Sequence, residues 1–136
     1  MYLLDTNILS EITRIRPNLH FQSQLRSKAP EELFTSVICV MELRYGSRLR
    51  DDFAEFWQRL EEEIVSKVSV LPIGEAEAVI AGDILSTLKT TGTMVSGEDI
   101  LIAASAKANK LTMVTANTRR FSRISGLVVE NWLDAV

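Results

Sequence analysis

Residues 2–11 read YLLDTNILSE. Three apolar residues, Tyr2-Leu3-Leu4, run into a carboxylate, Asp5, and the polar pair Thr6-Asn7 then opens a second apolar-periodic segment. A short apolar run closed by a residue able to cap a helix reads as a buried strand over 2–5 feeding a helix from about Asn7 to Arg14. The same order recurs along the chain. Leu33-Phe34-Thr35 leads into a helix expected over Val37–Leu49, and Val68–Leu71, stopped by Pro72, leads into one over Gly74–Lys89, with Ala76, Val79, Ile80, Ile84 and Leu88 on one side. Leu111–Val114 runs into the polar stretch VTANTRRF (114–121), and Leu127–Val129 is the last expected strand. Pro17 is expected to start a helix that reaches Ser27. Asp52–Ile64 carries a helical stripe of Phe53, Phe56, Trp57, Leu60 and Ile64, and the nearly all-apolar Ile100–Asn109 reads as a buried helix after a polar loop over 90–97. Strands separated by helices predict an α/β layered fold with a mainly parallel sheet, in a single domain over 1–136. Ligands of open parallel sheets bind beyond the carboxyl ends of the strands, and Asp5 stands at such an end.

The composition is that of a folded domain: 46% hydrophobic and 24% charged residues argue against disorder. No apolar stretch approaches the roughly 20 residues that span a bilayer, so no membrane contact is expected. No basic region precedes the first apolar run, which argues against a signal peptide. A single cysteine, Cys39, excludes an intrachain disulfide and suits a reducing compartment, so a cytoplasmic location is expected. Its apolar neighbours make Cys39 a small buried hydrophobe. The formal net charge of −3 disfavours gripping nucleic acid by bulk charge. It leaves room for a local basic rim, and the arginines are clustered at 14/16, 44/48/50 and 119/120/123.

Three acids interrupt or end apolar segments: Asp5, Glu42 within VICVMELRYG, and Asp99 directly before ILIAASA. Each has a structural reading of its own. Asp5 can cap the following helix, Ser96-Gly97-Glu98-Asp99 matches a capping box, and Glu42 can pair with Arg14 or with an arginine one turn away. Taken jointly they say more. Buried carboxylates are costly unless paired or metal-bound, and three of them converging on one rim repel each other. A hard divalent cation such as Mg²⁺ or Mn²⁺ offsets that repulsion. One histidine and one cysteine supply no zinc cluster, and neither G-x-x-x-x-G-K-[ST] nor G-x-G-x-x-G occurs. Past the fourth strand, Thr115 and Asn117 should face the carboxylates, and Arg119 and Arg120 follow where a phosphate could be met.

LLDTNILSE, SVICVMELRYG, DILIAASA and VTANTRRF, in that order and spacing, resemble the PIN-domain ribonucleases, specifically the VapC-type toxins of toxin–antitoxin pairs. The resemblance implies a three-layer α/β/α sandwich on a short parallel sheet. It also implies an acidic pocket for one or two Mg²⁺ or Mn²⁺ ions. By position Asp5, Glu42 and Asp99 match the family's three acids, with Asp5 and Asp99 as direct metal ligands and Glu42 completing the site directly or through water. Asn117 stands at the fourth site, where many relatives carry aspartate. Thr6 and Thr115 match hydroxyls that support the acids, beside Asn7. The implied activity is a metal-dependent endoribonuclease that hydrolyses RNA, transfer RNA included, to leave a 3′-hydroxyl and a 5′-phosphate. Arg119 and Arg120 would contact that RNA. The implied partners are a VapB-like antitoxin, with the aromatic stripe at 53–60 as a candidate groove, and a second copy in a homodimer. A different class stays open: a catalytically silent PIN-like module that binds RNA or a partner, which the neutral Asn117 permits. An aspartyl-phosphate enzyme would be expected to show D-x-D, and Asn7 occupies the second position.

Overall fold

In the computed structural model the first two apolar runs hand the chain to a helix through a capping side chain, and two other helices begin at one. Asp5 lies in extended backbone (φ −72°, ψ 162°), and its Oδ1 accepts a hydrogen bond from the Thr6 N–H at 2.8 Å. Ser36 Oγ accepts from Ile38 N at 3.1 Å, and Ser96 Oγ from Asp99 N at 3.2 Å. Asn18 Oδ1 takes Phe21 N at 2.9 Å, so the second helix starts after this cap and not at Pro17. The resulting order is β1 (Tyr2–Leu4), α1 (Thr6–Ile12), α2 (Leu19–Arg26), β2 (Leu33–Ser36), α3 (Val37–Arg48), α4 (Phe53–Glu63), β3 (Ser69–Leu71), α5 (Glu75–Thr90), α6 (Gly97–Ala108), β4 (Thr112–Val114), α7 (Thr118–Phe121) and β5 (Val129–Glu130). The structure describes residues 1–93 and 95–134; Met94, within the loop expected over 90–97, and the last two residues lie outside the described residues.

The sheet has the order β3-β2-β1-β4-β5 and every pairing in it is parallel. Leu3 and Leu4 on β1, and Met113 and Val114 on β4, are all fully buried. Successive side chains on a strand point to opposite faces, so both faces of the sheet are covered by helices, giving three α/β/α layers. The thiol of Cys39 is buried in this core, and burial pushes it up to about 11, so it stays protonated and packs as an apolar group.

From β1 the chain first builds outward to β2 and β3, then crosses back to β4 and β5 on the other side of β1. The direction reverses between β1 and β4, and a crevice at the carboxyl ends of such a strand pair is the binding position of an open parallel sheet. Register places Leu4 beside Val114, so Asp5 and Thr115 emerge together at that edge.

Two further expectations need correction. The stripe on α5 is only half used: Ile84 and Leu88 are buried with Ala81, whereas Val79 is 60% exposed and Ala76 is exposed. The last strand begins later than Leu127, because the Leu127 N–H is taken by Ile124 O in a turn through Gly126 (φ +79°). Pairing with β4 starts with Met113 N donating to Val128 O. The single helical turn α7, within VTANTRRF, follows from Asn117, whose carbonyl accepts from Arg120 and Phe121, while Phe121 is buried in the core.

Candidate active site

Asp5 is 4% exposed, and both of its carboxylate oxygens are engaged. Oδ1 holds the Thr6 N–H; Oδ2 accepts from Thr115 Oγ1 at 2.8 Å and from Asn7 Nδ2 at 3.3 Å. The Thr6 hydroxyl in turn donates to Glu42 Oε1 at 2.6 Å, so one residue of α1 bonds both acids. Asn7 Oδ1 accepts from Ala116 N at 3.1 Å, and Asn117 N donates to Thr115 Oγ1 at 3.0 Å. These bonds lace the end of β1 to the end of β4. On the other side, the Thr35 hydroxyl donates to Leu4 O at 2.8 Å and ties β2 to the residue before Asp5.

The electrostatics are those of crowded like charges. Burial raises the Asp5 carboxyl above its ordinary 3.8, and the charges of Asp99 and Glu42 raise it further, against the opposing pull of the Thr115 and Thr6 bonds. One ligand-capable atom each from Asp5, Glu42 and Cys39 lies within 4.8 Å of the others. Since the Cys39 thiol stays protonated, the donors this corner offers a cation are the carboxylate oxygens. They are hard oxygens of the kind that a divalent metal takes, and the acidic cluster is consistent with such an ion.

Asp99 is 8% exposed at the start of α6. The Ser96 side chain caps its N–H, but the return bond of a capping box is absent among the described residues. Asp99 Oδ2 instead meets Arg120 Nη1 at 2.5 Å. Glu42 likewise pairs with no arginine among the described residues: its partner is Thr6, while Arg14 lies 3.2 Å from Glu11. Beyond the acids, Asn117, Arg119, Arg120 and Arg123 line an open cleft of about 370 Å³ with Ala116 and Thr118. Arg119 and the Asn117 side chain are exposed there. The Arg120–Asp99 pair has no local sequence signal, because the partners are 21 positions apart and fall on different helices.

The aromatic stripe of α4 is divided between two environments. Leu60 and Ile64 enter the core. Phe53, Phe56 and Trp57 are half-buried beneath guanidinium groups: Arg44 and Arg48 lie over Phe53 at 4.5 and 4.4 Å, Arg44 over Trp57 at 4.9 Å, and Arg50 over Phe56 at 3.9 Å. Cation–π stacking therefore covers the rings that the sequence left as a candidate groove.

Comparison with known proteins agrees with this geometry. Over 98% of its length the chain is 36% identical to the protein named Toxin FitB of Neisseria gonorrhoeae, all of which is covered. It is 33% identical to Ribonuclease VapC2 of Haemophilus influenzae, with 97% of this chain and 98% of that one covered. The crystal structure of FitAcB from Neisseria gonorrhoeae superposes with a TM-score of 0.90 at 35% identity, covering 99% of this chain and all of that one. The model of the PIN domain matches residues 2–127. With its parallel sheet, Asp5 at the switch point and residues 2–127 matched, this chain belongs to the PIN domain family.

Proposed function

We propose that this chain is a divalent-metal-dependent endoribonuclease, the toxin of a toxin–antitoxin pair, with Mg²⁺ or Mn²⁺ held by Asp5, Glu42 and Asp99. The observation that carries the reading is the buried Asp5 carboxylate, raised by burial and by the nearby charges of Asp99 and Glu42. Such an arrangement is unfavourable on its own and becomes favourable around a cation. A relative named a toxin and one named a ribonuclease, each aligned over nearly the whole chain, support the same conclusion. When bound, the ion supplies Lewis acidity for hydrolysis of a phosphodiester and leaves a 5′-phosphate.

The chain's own residues do the positioning. Thr115, Thr6 and Asn7 hold Asp5 and Glu42 in place through donated hydrogen bonds. Asp5 Oδ1 and Glu42 Oε1 each accept one of these bonds and keep a second lone pair for a cation, whereas Asp5 Oδ2 accepts two. Asn117 stands at the mouth as a neutral donor and acceptor, and Arg119 and Arg123 give the cleft a positive rim for the RNA backbone. The partners proposed are an antitoxin of the VapB type and a second copy of the chain. Val37, Met41 and Tyr45 recur every fourth residue on α3 and are 38%, 49% and 67% exposed, an apolar stripe suited to a homodimer. No helix among the described residues is long and apolar enough to cross a membrane.

Purified protein incubated with structured RNA is expected to cut it in Mg²⁺ or Mn²⁺, giving 5′-phosphate ends, and to leave it intact in EDTA. RNA bound but uncut in every buffer would select the silent binding module instead. Arg119→Ala is expected to weaken RNA binding and to flatten the salt dependence by roughly one counterion in the log–log slope. Anisotropy titrations from low to moderate salt check this, and an unchanged slope would take Arg119 out of the RNA path.

A further inference from the structure

The metal reading leaves one group at the acid cluster without a role, and that group carries the wrong charge for a ligand. Among the described residues, Arg120 is the one basic side chain in an ion pair with any of the three acids, at 2.5 Å from Asp99 Oδ2. The pair is asymmetric: the Asp99 side chain is 11% exposed and that of Arg120 is 48% exposed. The guanidinium thus reaches into the cluster from solvent, on a helical turn fastened by the adjacent, buried Phe121. Its base also lines the open cleft with Asn117, Arg119 and Arg123.

We infer that Arg120 is a tethered competitor for the cation position on Asp99, displaced when a divalent ion binds and released into the cleft, where an RNA phosphate would meet it. The inference rests on the metal reading of the acid cluster. A guanidinium at hydrogen-bond distance from a carboxylate neutralises the charge that draws a metal there, and the two cations repel if both are seated. With metal, the Arg120 side chain has a short path to the cleft, because about half of it already faces solvent. Its planar fork then matches the geometry of a phosphate better than a point charge does. Metal-free protein would in this way present a weaker anion site than metal-loaded protein.

The test compares two neighbouring arginines. Arg119→Gln and Arg120→Gln remove the same charge from the same helical turn, but only Arg120 touches Asp99. Calorimetric titration with Mn²⁺, without RNA, is expected to show about tenfold tighter binding in Arg120→Gln and a change within about twofold in Arg119→Gln. Arg120→Lys, which keeps the charge and loses the fork, should fall between Arg120→Gln and the unaltered chain. In the unaltered chain the Arg120 Nη–H NMR signals, assigned by their loss in Arg120→Gln, should be protected from solvent exchange without metal, because Nη1 is the donor to Asp99 Oδ2. At saturating Mg²⁺ that protection should be lost. Equal Mn²⁺ affinity in the two glutamine variants, or an Arg120 signal indifferent to Mg²⁺, would overturn the competitor. Absence of Mn²⁺ binding in all of these proteins would instead remove the metal site itself, and the competitor with it.

Discussion

Asp5→Asn is expected to lower RNA cleavage by roughly a thousandfold, the scale of losing several kcal/mol of transition-state stabilisation by a bound metal. The reason is that Asp5 is the acid all other parts of the site are built around: Thr6, Asn7 and Thr115 donate to it, and Asp99 and Glu42 crowd it. The same variant should make the metal-free protein more stable at neutral pH. Asparagine keeps the Thr6 bond through Oδ1, and its Nδ2 can donate to a rotated Thr115 hydroxyl that also accepts from Asn117 N; the bond donated by the Thr115 hydroxyl and the long Asn7 contact are lost, against removal of a buried, crowded charge.

The sign of the pH effect follows from the raised carboxyl. Folded Asp5 holds its proton more tightly than the unfolded chain does, so it favours the fold at low pH. That contribution is lost as pH rises from 3.8 through the raised folded value. Asparagine does not titrate. The stability gain of Asp5→Asn should therefore grow with pH across this window and level off above it. Urea unfolding in EDTA from pH 4 to 8 measures it, and a difference constant across that range would contradict the burial and crowding assigned to Asp5. Added Mn²⁺ should stabilise the unaltered chain and leave the variant unmoved.

Trp132→Ala is expected to cost about 3–5 kcal/mol and to lower Tm by about 10–20 °C. Trp132 is 1% exposed and meets Tyr2 edge to face, with ring centroids 5.1 Å apart and planes at 65°. Its Nε1 donates to Glu130 Oε1 at 3.2 Å, and Lys28 lies over both rings, 4.9 Å from Tyr2 and 5.5 Å from Trp132. The C-terminal segment is thereby fastened to the first residue of the central strand, and Asn18 adds a bond from Nδ2 to Leu133 O. Trp132→Phe should cost far less, about 1–2 kcal/mol, by keeping most of the ring packing and losing one partly buried hydrogen bond. Denaturant titration of both variants separates packing from bonding. Equal losses would assign the stabilisation to the indole N–H.

Much of the fold was legible because the forces that decide it act over short stretches of chain. Apolar runs of three or four residues closed by Asp5 or Ser36 mark strand ends, and those side chains cap the helices that follow. Alternation of strands with helices dictates a parallel sheet, since parallel neighbours need a crossover. Asp5, Glu42 and Asp99 were visible as acids out of keeping with their apolar surroundings, and the resemblance to PIN-domain chains gathered them into one set. The sequence alone thus determined element types, sheet class and which acids stand apart from their surroundings.

Only the tertiary structure decided what those acids touch. Glu42 takes the Thr6 hydroxyl, 36 positions away, and not Arg14; Asp99 takes Arg120, 21 positions away, and not the Ser96 N–H; Asp5 takes Thr115, 110 positions away. Arg44, Arg48 and Arg50 cover the aromatics of α4, and the Leu127 N–H is spent in a turn that delays β5. Each of these outcomes is a competition among several donors for one acceptor, or among several covers for one apolar face. Local propensity does not rank such competitors, because the winner is set by which groups the packed helices bring within about 3 Å for a hydrogen bond and 6 Å for a stacked cation.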